Sequence, residues 1–169
     1  MEELIKKIQN QLNLNSDTYE IKPGSQVDLI IPNENLLSTL QYLKSVGFLQ
    51  LSLITAVDWI KSAEFELIYT LRNWEIKSTL KLKIRINRDK PEITTVQSIF
   101  PTAVYYERDI WEFFGIIFIG HNELKPLFLE NWDDMAPMRK DFDPQEYSDK
   151  KYGSRTYPKV IYPDSKVIS

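Results

Sequence analysis

The sequence predicts an α+β domain built on a mostly antiparallel sheet, and three observations carry that expectation. Between Lys77 and Asn87, the residues Leu80, Leu82, Ile84 and Ile86 alternate with Lys81, Lys83 and Arg85. A period of two means one buried and one solvated strand face. The strand-like segments Phe48–Val57, Glu64–Arg72 and Lys77–Asn87 are joined by short connections, as an antiparallel meander requires. Helical periodicity flanks them, with Leu36, Leu37, Leu40, Tyr42 and Leu43 before and Ala103, Tyr106, Ile110 and Phe113 after.

From the N-terminus, Leu4, Ile5, Ile8 and Leu12 form a helical stripe over Glu2 to Leu12. Lys22-Pro23-Gly24-Ser25 reads as a turn, and Gln26 to Ile31 as a strand. Pro32-Asn33-Glu34 opens a second helix, with Asn33 as its cap and Gly47 as its stop. The meander ends at Arg88-Asp89-Lys90-Pro91, and a short apolar segment, Ile93 to Ile99, leads into Phe100-Pro101. A helix is expected from Thr102 to Phe114, with Pro101 at its first turn and Gly115 at its end. Beyond Asp141 the texture changes. Pro144, Pro158 and Pro163 punctuate a polar stretch carrying Tyr147, Tyr152, Tyr157 and Tyr162 at five-residue spacing, a period of neither helix nor strand. The expected organisation is an α+β domain over 1–142 and an extended, irregular C-terminal arm over 143–169.

Composition narrows the function. The chain has 169 residues, 43% of them hydrophobic and 12% aromatic, which is enough to build a core and excludes wholesale disorder. A net charge of -3 argues against a general nucleic-acid binder. The basic cluster from Lys77 to Arg88 alternates with Leu and Ile and reads as the wet face of a strand. Cysteine is absent, which removes disulfides, thiolate nucleophiles and any Fe–S cluster held by this chain alone. No apolar run reaches the roughly twenty residues a membrane span needs. The N-terminal residues lack the apolar core of a signal peptide, so a soluble, cytoplasmic protein is expected.

The residues that could carry chemistry gather between 107 and 141. Glu107, Arg108, Asp109 and Glu112 crowd one helix, and Arg108 and Glu112, four apart, are placed to pair. Glu107 lies beside the apolar stripe and needs a partner, for which Arg139 or Lys140 is available. His121, the only histidine, offers a metal reading with Glu107, Asp109 and Glu112. A hydrogen-bonded structural histidine is the stronger reading, because no second imidazole exists and the acids spread around the helix. Asp58, at the end of a strand, reads as a residue that caps or turns the chain, with possible contact to a partner. Arg139-Lys140-Asp141 reads as a contact segment, with anion binding as the alternative. No catalytic, cofactor-binding or metal site is assigned to any of these residues.

Several segments, in order, resemble the 30 kDa subunit family of complex I and its relatives among membrane-bound, energy-converting hydrogenases. They are Thr55-Ala56-Val57-Asp58-Trp59, Tyr69, Ser98-Ile99-Phe100-Pro101, Tyr105-Tyr106-Glu107-Arg108-Asp109, Phe114-Gly115-Ile116 with Gly120-His121, Trp132, and Pro137-Met138-Arg139-Lys140-Asp141-Phe142. The matches span roughly residues 50 to 143. Departures are Asp109 for the family's usual Glu, Val104 for a common Asn, Asn122 for the Pro after the histidine, and Phe142 for the closing Tyr.

The resemblance implies a structural and assembly subunit without cofactors, in the peripheral cytoplasmic arm of a complex-I-type, ion-translocating membrane oxidoreductase. Its implied partners are a protein resembling the hydrogenase large subunit and small Fe–S subunits. It implies membrane association through the complex and no nucleic acid. The alternative is the same role in a membrane-bound, energy-converting NiFe hydrogenase or a related respiratory complex. A stand-alone soluble enzyme using Glu107 and His121 is the remote alternative.

Overall fold

The computed structural model describes residues 6, 7, 10 and 19–153. Of the expected first helix, only Lys6, Lys7 and Asn10 are described, and all three are helical. Seven strands follow: β1 (Tyr19–Lys22), β2 (Gln26–Ile30), β3 (Gln50–Trp59), β4 (Glu64–Asn73), β5 (Ser78–Asn87), β6 (Glu92–Thr94) and β7 (Ile117–Ile119). Within the described residues 19–153, three α-helices accompany them: α1 (Leu36–Ser45), α2 (Ala103–Phe114) and α3 (Pro144–Tyr152). The fold is α+β, as expected.

The main sheet has the order β1-β2-β5-β4-β3. Strands β3, β4 and β5 form the antiparallel meander, and β1 pairs antiparallel with β2. The one parallel joint is β2 with β5, which inserts the N-terminal hairpin beside the last strand of the meander. In register, Leu71, Tyr69, Leu67 and Phe65 of β4 face Leu80, Leu82, Ile84 and Ile86 of β5. All eight are buried, because residues two apart share a face and that face meets the helices. Leu36, Leu40 and Leu43 of α1, and Ala103 and Ile110 of α2, complete this core with Phe48. The short strand β1 was not expected; its pattern is mostly exposed and gives little apolar signal.

A second, parallel pair joins β6 to β7 and sits at the end of α2. The apolar segment expected from Ile93 to Ile99 is thus a strand only at its start, and Val96, Ile99 and Phe100 then pack into the core. Asn33 does not cap α1. It opens a 3-10 turn over Asn33–Asn35, and the α-helix starts at Leu36 without a side-chain cap. Pro101 lies one residue before the N-cap Thr102 rather than inside the first turn.

Two glycines are required by their places. Gly47 follows α1 with φ 96°, and a Cβ there would lie 2.7 Å from Asn73 Nδ2. That amide donates to the Val46 carbonyl at the helix end, while Asn73 Oδ1 accepts from the Glu75 and Ile76 N–H groups. Gly115 ends α2 in the left-handed region, φ 75°, and donates its N–H to Trp111 O.

The C-terminal arm does not begin extended. Pro144–Tyr152 is a helix, and the reason is local capping chemistry that the tyrosine spacing obscured. Asp143 accepts from the Gln145 and Glu146 N–H groups, Pro144 occupies the first turn, Lys150 and Lys151 the last, and Gly153 follows. Tyr147 stacks on Trp132 at 4.5 Å and touches Phe142, which ties the helix to the preceding segment. Residues 154–169, with the remainder of the expected arm, lie outside the described residues. Among the described residues no helix is long and apolar enough to cross a membrane.

Candidate functional site

Between β7 and α3 the chain runs from 120 to 143 without an α-helix or strand, so its backbone groups lack the ladder that would satisfy them. The charged residues singled out in the sequence supply what the ladder does not. Glu112, on the last turns of α2, is buried and accepts from the N–H groups of Leu127 (2.9 Å), Phe128 (3.0 Å) and Leu129. Arg108, one turn earlier, donates to the carbonyls of Lys125 (3.0 Å) and Pro126 (2.9 Å). The pairing expected between Arg108 and Glu112 is therefore replaced. A guanidinium brings only donors and a carboxylate only acceptors, and each finds matching orphan backbone groups in the irregular segment.

Asp58 and Asp141 come together through a residue that sequence reasoning passed over. Arg88, just past β5, donates through Nε to Asp58 Oδ1 (2.8 Å) and through Nη2 to Asp58 Oδ2 (3.0 Å). The same Nη2 reaches Asp141 Oδ1 at 2.6 Å. The Lys140 backbone N–H completes the set on Asp58 Oδ2, at 2.8 Å. Asp58 thus neither caps nor turns the chain. It holds the segment around 140 onto the end of the sheet. Burial pushes the Asp58 carboxyl up, but the Arg88 fork and the Lys140 N–H outweigh it and hold it below the ordinary range. Hydrogen bonding to Arg88 likewise lowers Asp141.

Arg139 lies 3.6 Å from Asp141 through Nε, a contact too long for a hydrogen bond. Its guanidinium sits over the Phe65 ring, as does that of Arg88, with the Phe114 ring edge-on to the same phenyl. The Lys140 side chain is exposed and only its backbone enters the network.

Glu107 meets neither Arg139 nor Lys140. It is fully buried rather than half-buried, and accepts from the Thr95 hydroxyl at 2.5 Å and the Val96 N–H at 2.8 Å. His121 Nε2 stands 4.0 Å from its carboxylate and donates to Val104 O at 3.2 Å. Its Nδ1 accepts from the Glu123 N–H at 3.0 Å. Of the three helix acids in the metal reading, Glu107 approaches His121, whereas Glu112 faces residues 127–129. Both the Glu107 and His121 side chains are closed to solvent. Asp109 is half-buried, its Oδ1 lacks a hydrogen-bond partner, and burial, then the Glu112 charge, raises its carboxyl.

The sequence did hold a signal for Arg88. A meander of ten-residue strands aligns Asp58 with Phe65 and Phe65 with Ile86, which leaves a charged residue two places on at the same sheet end. Thr95 had none, because its role depends on how α2 packs against the residues that follow β6.

The outer surface of the irregular segment is apolar in places: Phe128, Met135 and Met138 are exposed, the first stacked on Phe113. Chemically, the arrangement is a set of closed donor–acceptor pairs that rigidify a loop and leave apolar side chains outside.

Known proteins are similar to this chain in sequence and in structure. In sequence, it is 41% identical over 107 residues to a subunit of the F(420)H(2) dehydrogenase of Methanosarcina mazei, covering 61% of this chain and 66% of that one. It is 26% identical over 147 residues to a subunit of the NADH-quinone oxidoreductase of Rhizobium rhizogenes, covering 85% and 72%. In structure, it matches a chain of the membrane-bound sulfane sulfur reductase, an archaeal respiratory membrane complex. That match has a TM-score of 0.80 and 33% identity, over 96% of this chain and 98% of that one. Residues 29–148 match the family described as respiratory-chain NADH dehydrogenase, 30 Kd subunit. The chain belongs to that family, whose members are subunits of complex-I-like and related respiratory complexes.

Proposed function

We propose that this chain is a structural subunit, without a cofactor of its own, in the peripheral cytoplasmic arm of a complex-I-type, ion-translocating oxidoreductase. The observation that carries the reading is the 120–143 segment. Its backbone and Asp141 are held by charged residues of the sheet and α2, namely Asp58, Arg88, Arg108 and Glu112, while Phe128, Met135 and Met138 are exposed among charged neighbours such as Asp134 and Lys140. A loop anchored from beneath by buried charges, with apolar side chains exposed inside a polar rim, is suited to docking on a neighbouring subunit. The neighbours are a protein resembling the hydrogenase large subunit and small Fe–S subunits. The residues after Asp143, with tyrosines that bury rings while keeping hydroxyls at a wet rim, extend that contact.

A second reading is favoured by one observation. The 33% identity to the sulfane sulfur reductase chain over 96% of this chain supports the same role in a related respiratory complex or a membrane-bound hydrogenase. A neighbouring gene with an intact NiFe-binding cysteine set would mean hydrogenase, and its loss one of the others.

Arg139→Ala in the native complex is the test. The amount of intact complex should fall, with turnover per assembled complex unchanged. Normal assembly with lost turnover would overturn the structural role. Limited proteolysis should clip the C-terminal residues in the free subunit and spare them in the complex.

A further inference from the structure

One carboxyl joins α2 to the β6–β7 pair. Glu107 reaches from the helix to Thr95 and Val96, which follow β6, and Thr95 itself donates its N–H to Ile119 O of β7. Two further polar groups interact with it from other parts of the chain. From β4 comes Tyr69, fully buried, its hydroxyl without a hydrogen-bond partner and its ionisation linked electrostatically to Glu107. From beyond β7 comes His121, whose Nδ1 accepts the Glu123 N–H while Nε2 donates to Val104 O. Both ring nitrogens are thus engaged away from the carboxylate, which Nε2 approaches only to 4.0 Å. On α2 itself, Arg108 is turned to the Lys125 and Pro126 carbonyls, and Asp109 feels the charges of Glu112 and Arg108.

A buried carboxyl is stable with a cation beside it, with enough donors on its charged form, as at Glu112, or with a proton on it; Glu107 has two donors only. Neither residue that hydrogen-bonds the Glu107 carboxyl, Thr95 or Val96, brings a cation. We propose that Glu107 is a buried proton-binding site, protonated while α2 is docked, and that loss of the proton to solvent loosens α2 from the β6–β7 pair and makes the subunit's packing pH-responsive. The Tyr69 hydroxyl, buried and without a hydrogen-bond partner, is the group electrostatically coupled to the charge that results. Burial raises the carboxyl to about 7, and the Thr95 and Val96 hydrogen bonds offset only part of that rise. The folded value lies above the unfolded one, 4.5. The stabilisation is therefore complete below the unfolded value and is lost as pH rises through the folded one.

Side-chain carboxyl NMR on the full-length chain, with Glu107→Gln to assign the resonance, tests this. The Glu107 signal should titrate with a midpoint near neutrality. Between pH 5 and 8 the unfolding equilibrium of the wild type should rise relative to E107Q by on the order of a hundredfold. A midpoint in the ordinary carboxylate range, or parallel unfolding profiles of the two proteins, overturns the proposal. Should E107Q fail to fold, carboxyl signals that change on titration only in the ordinary range in the wild type overturn it alone.

Discussion

Asp58 and Glu107 are both closed to solvent at the side chain, yet their carboxyls move in opposite directions. Burial acts on both. Asp58 has a guanidinium in fork geometry and a backbone N–H, and these overcome the burial; Glu107 has a hydroxyl and one N–H, and these do not. Asp28, on the outer face of the sheet, follows Asp58. Burial would raise it, but hydrogen bonds from Lys22, Lys83 and Gln26 bring it to about 2. The sign of the response thus follows two differences together: Asp58 and Asp28 share their sites with cations and are less deeply enclosed, whereas Glu107 lies deeper and has no Lys or Arg on its carboxyl. The two sites also divide the work: Asp58 fastens the irregular segment to the sheet, and Glu107 fastens α2 to the β6–β7 pair.

Removing the cation should turn the first site into something like the second. Arg88→Ala leaves Asp58 enclosed without a counter-charge, and a loss of about 3–5 kcal/mol is expected from urea unfolding. A loss under about 1 kcal/mol would break the comparison. The pH dependence sharpens it from the other side. Because the folded Asp58 value lies below the ordinary 3.8, its contribution is present above that value and lost as pH falls through the folded one. Asp58→Asn should flatten the acid limb of the stability profile and leave the neutral limb, where Glu107 acts, unchanged.

Glu112 is intermediate, a buried carboxylate held by backbone donors alone. Glu112→Ala orphans the N–H groups of Leu127, Phe128 and Leu129 and should cost about 1–3 kcal/mol. Faster amide exchange at those three residues, with β4 unaffected, is the expected signature. Asp143 is the exposed counterpart, accepting two N–H groups at the start of α3. Asp143→Ala should cost about 1 kcal/mol, read as lost helicity in α3 without a change at the Asp58 site. The smallest effect is expected of Tyr69→Phe, which removes a buried hydroxyl that has no partner. It should be neutral or stabilising by less than about 1 kcal/mol at acid pH, and more costly where Glu107 has lost its proton.

Much of the fold was legible because it rests on local periodicity. Leu80, Leu82, Ile84 and Ile86 announced the inward face of β5, and each is buried. Gly47 and Gly115 marked helix ends and both have positive φ. The capping of α3 was equally local, Asp143-Pro144 to Gly153, but evenly spaced tyrosines and prolines drew the reading toward an extended arm. The site was legible as a set of residues and not as a set of pairs. Asp58, Glu107, Arg108, Glu112, His121 and Asp141 all take part in tertiary bonds, but Arg108 and Glu112 do not pair, and Glu107 meets Thr95 instead of Arg139.

By itself, then, the sequence determined which segments become strands and helices and which faces they bury, since a period of two or 3.6 acts within a few residues of chain. It also determined that the charges between 107 and 141 would need partners, because carboxylates beside an apolar stripe cannot stay unsatisfied. Only the tertiary structure decided who those partners are. Arg88 lies 30 residues from Asp58 and Lys140 lies 82 away. Donor and acceptor meet there because β3, β4 and β5 end at one edge where the irregular segment returns. The same packing decided that Glu107 hydrogen-bonds Thr95 and Val96 and no Lys or Arg, while the nearest imidazole turns its nitrogens to Val104 O and the Glu123 N–H.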